Sequence, residues 1–327
     1  MSSRADQQTI VAVDIGGTNA RFSLARVTAG QPPVLGETVT MKTADHASLV
    51  TAWEAFTGEL GEEVPSAASI CIAAPLTSDV IKLTNSPWVI TQSTLARDLG
   101  LDKVMLLNDF GAMAHAVANM SESAFEHVSG PDVPIPEEGV TTVVGPGTGF
   151  GVAQLIRRGG KIIVVETEGG HTDYAPLDTV ETAIVNRLRD KYLRVSVERL
   201  VSGPGLSNIH EALAAIEGRS YQPIGDAELW AAATEGKDLL AAAALKRFCL
   251  SLGAVSGDLA LTHGASGVVL IGGLAQRIKH KLRDSEFSVR FCAKGRFESL
   301  MKTIPVRVAI HPQPGLLGSA AAFSAQL

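Results

Sequence analysis

Two glycine-rich turns each follow a β-branched run. Ile15-Gly16-Gly17-Thr18-Asn19 ends the run 9–14, and Gly145-Pro-Gly147-Thr148-Gly149-Phe-Gly151 ends the run 141–144. Backbone N–H groups in such turns can approach phosphate oxygens because no side chain intervenes, and the Thr18 and Thr148 hydroxyls add donors. A third apolar run, 267–271, leads into Gly272-Gly273 and a helix-compatible segment from Leu274. One such turn alone serves hairpin sterics equally well, but three junctions point to three backbone approaches to one ligand. Among the carboxylates, Asp109 follows Asn108 at the end of the strand-like run 104–107, where α/β folds place their chemistry. Asp109 would also serve as an N-cap for the helix-compatible segment 110–120, and the residues alone weigh the two roles equally. Asp14 stands at the end of the first run, where a turn-forming Asp is the plain alternative.

These residues need elements to hold them. The alternating stretch 21–27 makes a β-hairpin with 9–14, and 152–156 makes a second one with 141–144, so one device is used twice. Buried strands are expected at 68–74 and 104–107. Leu49, Trp53, Phe56 and Leu60 recur at helical spacing, as do Val180, Ile184, Leu188 and Tyr192. Asp178 and Glu181 would form a capping box at the start of the second helix. The segment 238–263 is apolar on most faces and reads as the central helix of a larger lobe. At 327 residues the chain exceeds one ordinary core, so two lobes are expected, joined by a hinge after Asp109 since no Pro/Ser-rich linker occurs.

Composition narrows the function. With 28 Lys+Arg against 34 Asp+Glu, the net charge is -6 and no block of one sign occurs, which argues against a nucleic-acid partner. Cys71, Cys249 and Cys292 lie far apart and outside any C-x-x-C pair, so buried reduced thiols are expected, with no zinc and no disulfide. The polar start and the lack of an unbroken bilayer-length apolar run lead to a soluble, cytoplasmic protein with no membrane partner. No G-x-x-x-x-G-K-[ST], G-x-G-x-x-G or protein-kinase catalytic-loop signature occurs. The remaining candidate is an ATP site built from two ribonuclease-H-like lobes.

Val13-Asp-Ile-Gly-Gly-Thr-Asn-Ala-Arg21 closely resembles the first phosphate motif of the bacterial glucokinase family, and 145–151 resembles its second. The resemblance continues through Thr84-Asn-Ser-Pro-Trp88, Asn108-Asp-Phe110, Glu168-Gly-Gly-His-Thr-Asp-Tyr-Ala-Pro176, Glu198-Arg-Leu-Val-Ser-Gly-Pro-Gly205, Lys294-Gly-Arg-Phe297 and Pro314-Gly-Leu-Leu-Gly-Ser319. It covers essentially the whole chain, in the family's order. Departures are Tyr174 where the family commonly has Phe, and Thr167 where it often has glycine. The cysteine-rich zinc motif of related sugar kinases is absent, which places the chain in the zinc-free branch.

The resemblance implies an α/β fold of two actin-like, hexokinase-type lobes with the active site in the cleft between them. It divides the chain into a small domain, 1–110 plus 311–327, and a large domain, 111–310. It further implies transfer of the γ-phosphate of ATP to the 6-hydroxyl of glucose, feeding glycolysis, in a homodimer. Asp109 would be the catalytic base. Asn108, Glu168, His171 and Glu198 would bind the sugar, with Asn85 beside them. Gly16, Gly17, Thr18, Asn19, Gly147, Thr148, Gly149, Gly272 and Gly273 would hold the nucleotide, and Asp14 would organise Mg²⁺ through water. A sugar-responsive regulator would need a DNA-binding helix-turn-helix ahead of the first strand, and a strand beginning near Thr9 leaves no room for one.

Overall fold

The computed structural model describes residues 7–61, 63–83 and 86–327. The chain forms two compact units, Met1–Ser121 with His311–Leu327, and Glu122–Ile310.

The first unit is built on a five-stranded sheet. In it β1 (Gln7–Ile15), β2 (Asn19–Thr28) and β3 (Val34–Lys42) form an antiparallel meander, followed by β4 (Ala67–Ile72). A separate small hairpin, β5 (Val80–Lys82) and β6 (Val89–Thr91), precedes β7 (Lys103–Asn108). The order is β3-β2-β1-β4-β7, with β4 parallel to both β1 and β7. Alternation along β1 decides its two faces. Val11, Val13 and Ile15 pack with Trp53 and Phe56 of α1 (Leu49–Gly58), while Ile10 and Ala12 pack with Leu316, Ala320 and Phe323 of the C-terminal helix (Pro314–Ser324). With both faces covered, β4 is a fully buried apolar run. Its one polar side chain, Ser69, donates to the Ser319 carbonyl at 2.7 Å, and the Ser319 hydroxyl donates back to the Ser69 carbonyl at 2.6 Å.

A short α2 (Leu95–Asp98) precedes β7, and α3 (Asp109–Asn119) follows it. Helix α3 crosses the C-terminal helix so closely that a Cβ at Gly318 would lie 2.5 Å from the Ala112 carbonyl carbon. That packing keeps α3 in the first unit, so the chain crosses to the second after Ser121 rather than at the boundary expected at 110.

The second unit repeats the plan. Its strands are β8 (Phe125–Ser129), β9 (Gly139–Pro146), β10 (Phe150–Arg158), β11 (Lys161–Thr167), β12 (Gly267–Leu270) and β13 (Val306–Ala309). The order is β11-β10-β9-β12-β13-β8. The strands β9, β10 and β11 form an antiparallel meander, and β12 runs parallel to β9 and β13. Order and sense match the first sheet, with β8 added antiparallel at the edge. This is the ribonuclease-H-like arrangement in each unit.

Seven helices complete the second unit: α4 (Thr179–Tyr192), α5 (Gly203–Ile216), α6 (Asp226–Glu235), α7 (Leu239–His263), α8 (Gly273–Asp284), α9 (Phe287–Cys292) and α10 (Glu298–Met301). Helix α7 is long and apolar enough to suit a membrane span, but 67% of its most apolar stretch is buried. Phe248 and Leu252, both at 0% exposure, mark it as the core helix. At α4 the Asp178 carboxylate accepts from the Glu181 N–H at 2.7 Å, as the capping pattern predicts. The reciprocal half of the box differs. Glu181 accepts from the Leu177 N–H and forms a buried two-point ion pair with Arg290, at 3.1 and 3.0 Å.

Candidate active site

In the first unit, Gly16, Gly17 and Thr18 form the turn between β1 and β2. The Gly16 N–H donates to the Asn19 carbonyl at 2.9 Å, the Thr43 N–H to the Thr18 carbonyl at 3.0 Å, and the Thr43 hydroxyl to the Gly17 carbonyl at 2.8 Å. With these carbonyls held by protein donors, the turn can offer N–H groups to an anion. Asp14 precedes it. Its Oδ2 accepts from Nη1 of Arg21, its cross-strand partner, at 3.2 Å, and its Oδ1 lies 3.5 Å from the Cys71 Sγ. Burial pushes the Asp14 carboxyl above the usual carboxylate range despite the opposing pull of Arg21. A Cβ at Gly315 would lie 2.6 Å from the Asp14 Cγ, so this glycine lets the start of the C-terminal helix sit against the carboxylate, a favourable place for negative charge.

Asp14, Cys71 and Leu107 are register partners across β1, β4 and β7, so Asp109 emerges at the same end of the sheet as Asp14. Burial, and then the charges of Asp14 and Asp109, push the Cys71 thiol well up. The helix cap belongs to Asn108, not Asp109. Asn108 Oδ1 accepts from the Phe110 N–H at 2.8 Å and the Gly111 N–H at 3.4 Å, and its Nδ2 donates to the Ala74 carbonyl at 3.3 Å. Asp109 is therefore the first helical residue, and its Oδ1 accepts from the Phe110 N–H at 2.9 Å.

In the second unit, the Gly147 N–H donates to the Gly149 carbonyl at 2.8 Å and the Gly203 N–H to the Gly147 carbonyl at 2.6 Å. The second bond brings the start of α5 against the β9–β10 turn. The Ile271 N–H donates to the Val144 carbonyl at 2.9 Å, which carries Gly272-Gly273 and the start of α8 to the same end of the sheet. Beside the turn opens a pocket of about 300 Å³, lined by Gly147 and Thr148 and by residues at the beginnings of α5 (Gly203, Pro204), α6 (Asp226, Ala227) and α8 (Leu274). Three helix N-termini thus meet at one pocket, each bringing partial positive charge; at α5 the Gly203 and Gly205 N–H groups are already bonded within the protein and Pro204 has none. Trp230 locks α6 to α5 by donating from Nε1 to the Gly203 carbonyl at 3.0 Å.

After β11, Glu168 leads into a 3-10 turn, Gly169–His171. His171 Nε2 lies 3.9 Å from Glu168 Oε2. The turn is seated on β10: a Cβ at Gly170 would lie 3.1 Å from the Phe150 carbonyl carbon. Residues 172–174 then run beside 194–197, through an antiparallel bridge between Asp173 and Ser196. The Tyr174 N–H donates to the Val195 carbonyl at 3.1 Å and the Val197 N–H to the Thr172 carbonyl at 2.9 Å. That strand-like segment ends in a 3-10 turn, Val197–Arg199, where Glu198 Oε2 accepts from the Phe150 N–H at 2.9 Å. Glu168, His171 and Glu198 therefore converge on the first residues of β10, next to the β9–β10 glycine turn.

Of the residues named from sequence, Asp14, Gly16, Gly17, Thr18, Asn19, Asn108 and Asp109 gather at one end of the first sheet. Gly147, Thr148, Gly149, Glu168, His171, Glu198, Gly272 and Gly273 gather at one end of the second. Asn85 lies outside the described residues. Thr43, Cys71, Asp226 and Trp230 were not anticipated. The start of α5 carried a signal, since Ser202 followed by Gly-Pro marks a helix N-terminus, and Ser202 Oγ accepts from the Gly205 N–H at 3.2 Å. Nothing in the local pattern marks Asp226 or Trp230.

For a cation, the donor chemistry at Asp14 fits magnesium. Among the described residues no group of three or more His, Cys, Asp or Glu is gathered to cage a metal. Mg²⁺ needs no such cage, because it keeps several waters and takes one or two carboxylates plus substrate phosphates. A buried carboxylate only partly compensated by Arg21 is a suitable hard ligand.

A family model described as Glucokinase matches residues 11–326. The chain is 56% identical to the glucokinase of Zymomonas mobilis subsp. mobilis over 96% of its own length and 97% of the relative. It is 40% identical to a glucokinase of Caulobacter vibrioides, over 95% of this chain and 94% of that one. The crystal structure of a glucokinase from an Antarctic psychrotroph superposes with a TM-score of 0.85 at 31% identity, covering 96% of this chain and 98% of that one.

Proposed function

The chain belongs to the glucokinase family, and from that premise we propose how its own residues carry out transfer of the γ-phosphate of ATP to the 6-hydroxyl of glucose. The observation that carries the reading is the pocket beside Gly147 and Thr148, on which three helix N-termini converge. A nucleotide presents phosphates to the positive ends of such helices and a base to the remaining space. The turns at 16–19 and 147–149, with Gly272-Gly273, receive the phosphates. Asp14 would hold Mg²⁺, through water, and the bound ion would neutralise charge on the phosphates.

Glucose is neutral and rich in hydroxyls, so its site must offer paired donors and acceptors. Glu168, His171 and Glu198 supply these from around β10, and Asn108 supplies an amide, with Asn85 as a further candidate. Asp109 accepts the proton of the 6-hydroxyl as it attacks. Its place as the first residue of α3, with the cap supplied by Asn108, supports this role. We further read the protein as a cytoplasmic homodimer feeding glycolysis.

The test is ADP release in a coupled assay with Mg-ATP and a hexose panel of glucose, mannose, fructose and glucosamine. Glucose should dominate by kcat/KM. Asp109→Ala should lose about 10²–10⁴ in turnover, as expected on removing a general base, while sugar binding survives in part. Near-normal turnover in that variant would remove Asp109 from the role.

A further inference from the structure

We propose that Arg194, delivered by a strained turn at Leu193, is a positioning residue for the sugar-binding loop; the inference rests on reading Glu168, His171 and Glu198 as sugar ligands. Helix α4 ends at Tyr192, and Leu193 follows with φ 59° and ψ -58°. It is the one non-glycine residue at positive φ among the described residues. The Arg194 N–H donates to the Tyr192 carbonyl at 2.6 Å, which closes a γ-turn of the rare positive-φ kind, strained for a residue with a side chain. Packing of Leu193 does not compensate for the strain, since the residue is 90% exposed.

What compensates is where the turn sends the chain. Arg194 Nη1 donates to the His171 carbonyl at 2.8 Å and to Asp173 Oδ1 at 2.7 Å. The same turn starts the segment 194–197, which bridges to residues 172–174 and ends at Glu198. One guanidinium and one turn thus fix His171 relative to Glu198. The far side of the loop is anchored separately, by a hydrogen bond between the Tyr174 hydroxyl and Ser251 at 3.0 Å. The side chains of Glu168 and His171 are 67% and 55% exposed, so burial does little to orient them and the backbone clasp must. An exposed ion pair such as Arg194–Asp173 contributes little to stability by itself, and its consequence here is geometric.

The test compares Arg194→Met, Arg194→Lys, His171→Ala and the double variant Arg194→Met/His171→Ala by KM for glucose, KM for ATP, kcat and Tm. Arg194→Met should raise KM for glucose about tenfold and leave KM for ATP within about twofold, with Tm unchanged. Arg194→Lys should restore part of the loss. The double variant should be no worse than His171→Ala alone, as for groups acting through one unit. The inference is overturned if Arg194→Met lowers Tm and raises both KM values together, or if the two single effects add in full. If His171→Ala itself leaves KM for glucose unchanged, the sugar-site reading fails and takes this one with it. If only Arg194→Met is silent, the sugar site stands and the positioning role falls.

Discussion

Gly149 offers a sharp perturbation because, on the proposed reading, it links the phosphate turn to a sugar-binding carboxylate, Glu198. Its φ is not among the positive values, so alanine fits the backbone. The added Cβ would lie 3.3 Å from Glu198 Cδ and nearer still to Oε2, and ordinary contact requires the carboxylate to withdraw by about 1 Å. That withdrawal breaks the 2.9 Å hydrogen bond from the Phe150 N–H. A hydrogen bond to a charged group contributes about 1.5–3 kcal/mol, equivalent to about ten- to 150-fold in an equilibrium constant. Gly149→Ala should therefore raise KM for glucose by about tenfold or more on that scale. The obstacle is the far end of a flexible, half-buried side chain, so the backbone can stay in place, but the lost bond leaves the Phe150 N–H without its acceptor and stability should also fall, by up to about 1.5–3 kcal/mol. Coupled ADP release with glucose and ATP varied in turn, beside thermal unfolding, separates the effects. An unchanged KM for glucose, or a rise confined to KM for ATP, would refute the coupling.

Asp14→Asn should abolish most activity yet raise Tm at about pH 7. Because burial lifts the Asp14 carboxyl in the folded state, its contribution is most favourable below the unfolded-state pKa and is lost as pH rises through the folded pKa. The stability advantage of the variant should therefore be largest at neutral pH and shrink as pH falls toward about 4, where the parent carboxyl is protonated too; a pH series of thermal unfolding curves would expose the wrong sign. Gly318→Ala forces two helix backbones apart at Ala112 and should cost at least the upper end of about 1–3 kcal/mol. Gly58→Ala meets nothing within 4 Å and should be neutral or stabilising; a denaturant titration of the two glycine variants checks both.

Much of the scaffold was legible because it depends on local pattern. The β-branched runs and glycine turns marked both hairpins, and the apolar stretch opened by Asp238 marked α7, where Asp238 does cap the helix by accepting from the Ala241 N–H at 2.7 Å. The proposed site residues were named chiefly through the resemblance, since Glu168, Glu198 and His171 have plain surface readings when taken singly. What stayed hidden depends on contacts between residues far apart in the chain. The Glu181–Arg290 pair joins residues 109 apart and the Phe150–Glu198 bond residues 48 apart, and no local periodicity encodes either. Asn108 rather than Asp109 took the cap because cap position depends on where the strand releases the chain, which neighbouring residue types leave open. The γ-turn at Leu193 runs against its own residue type, so propensity argues away from it.

The C-terminal helix has a consequence for biosynthesis. Its Leu316, Ala320 and Phe323 cover one face of the first sheet, and the reciprocal Ser69–Ser319 bonds span 250 residues of sequence. The second unit is continuous along the chain and needs no later segment to complete it. The first unit, begun earlier, keeps one apolar sheet face uncovered until the segment 314–324 has been made. Gly315 in that segment also abuts Asp14, so a nascent chain that has not reached Pro314 lacks both this cover and the packing around the Asp14 carboxylate.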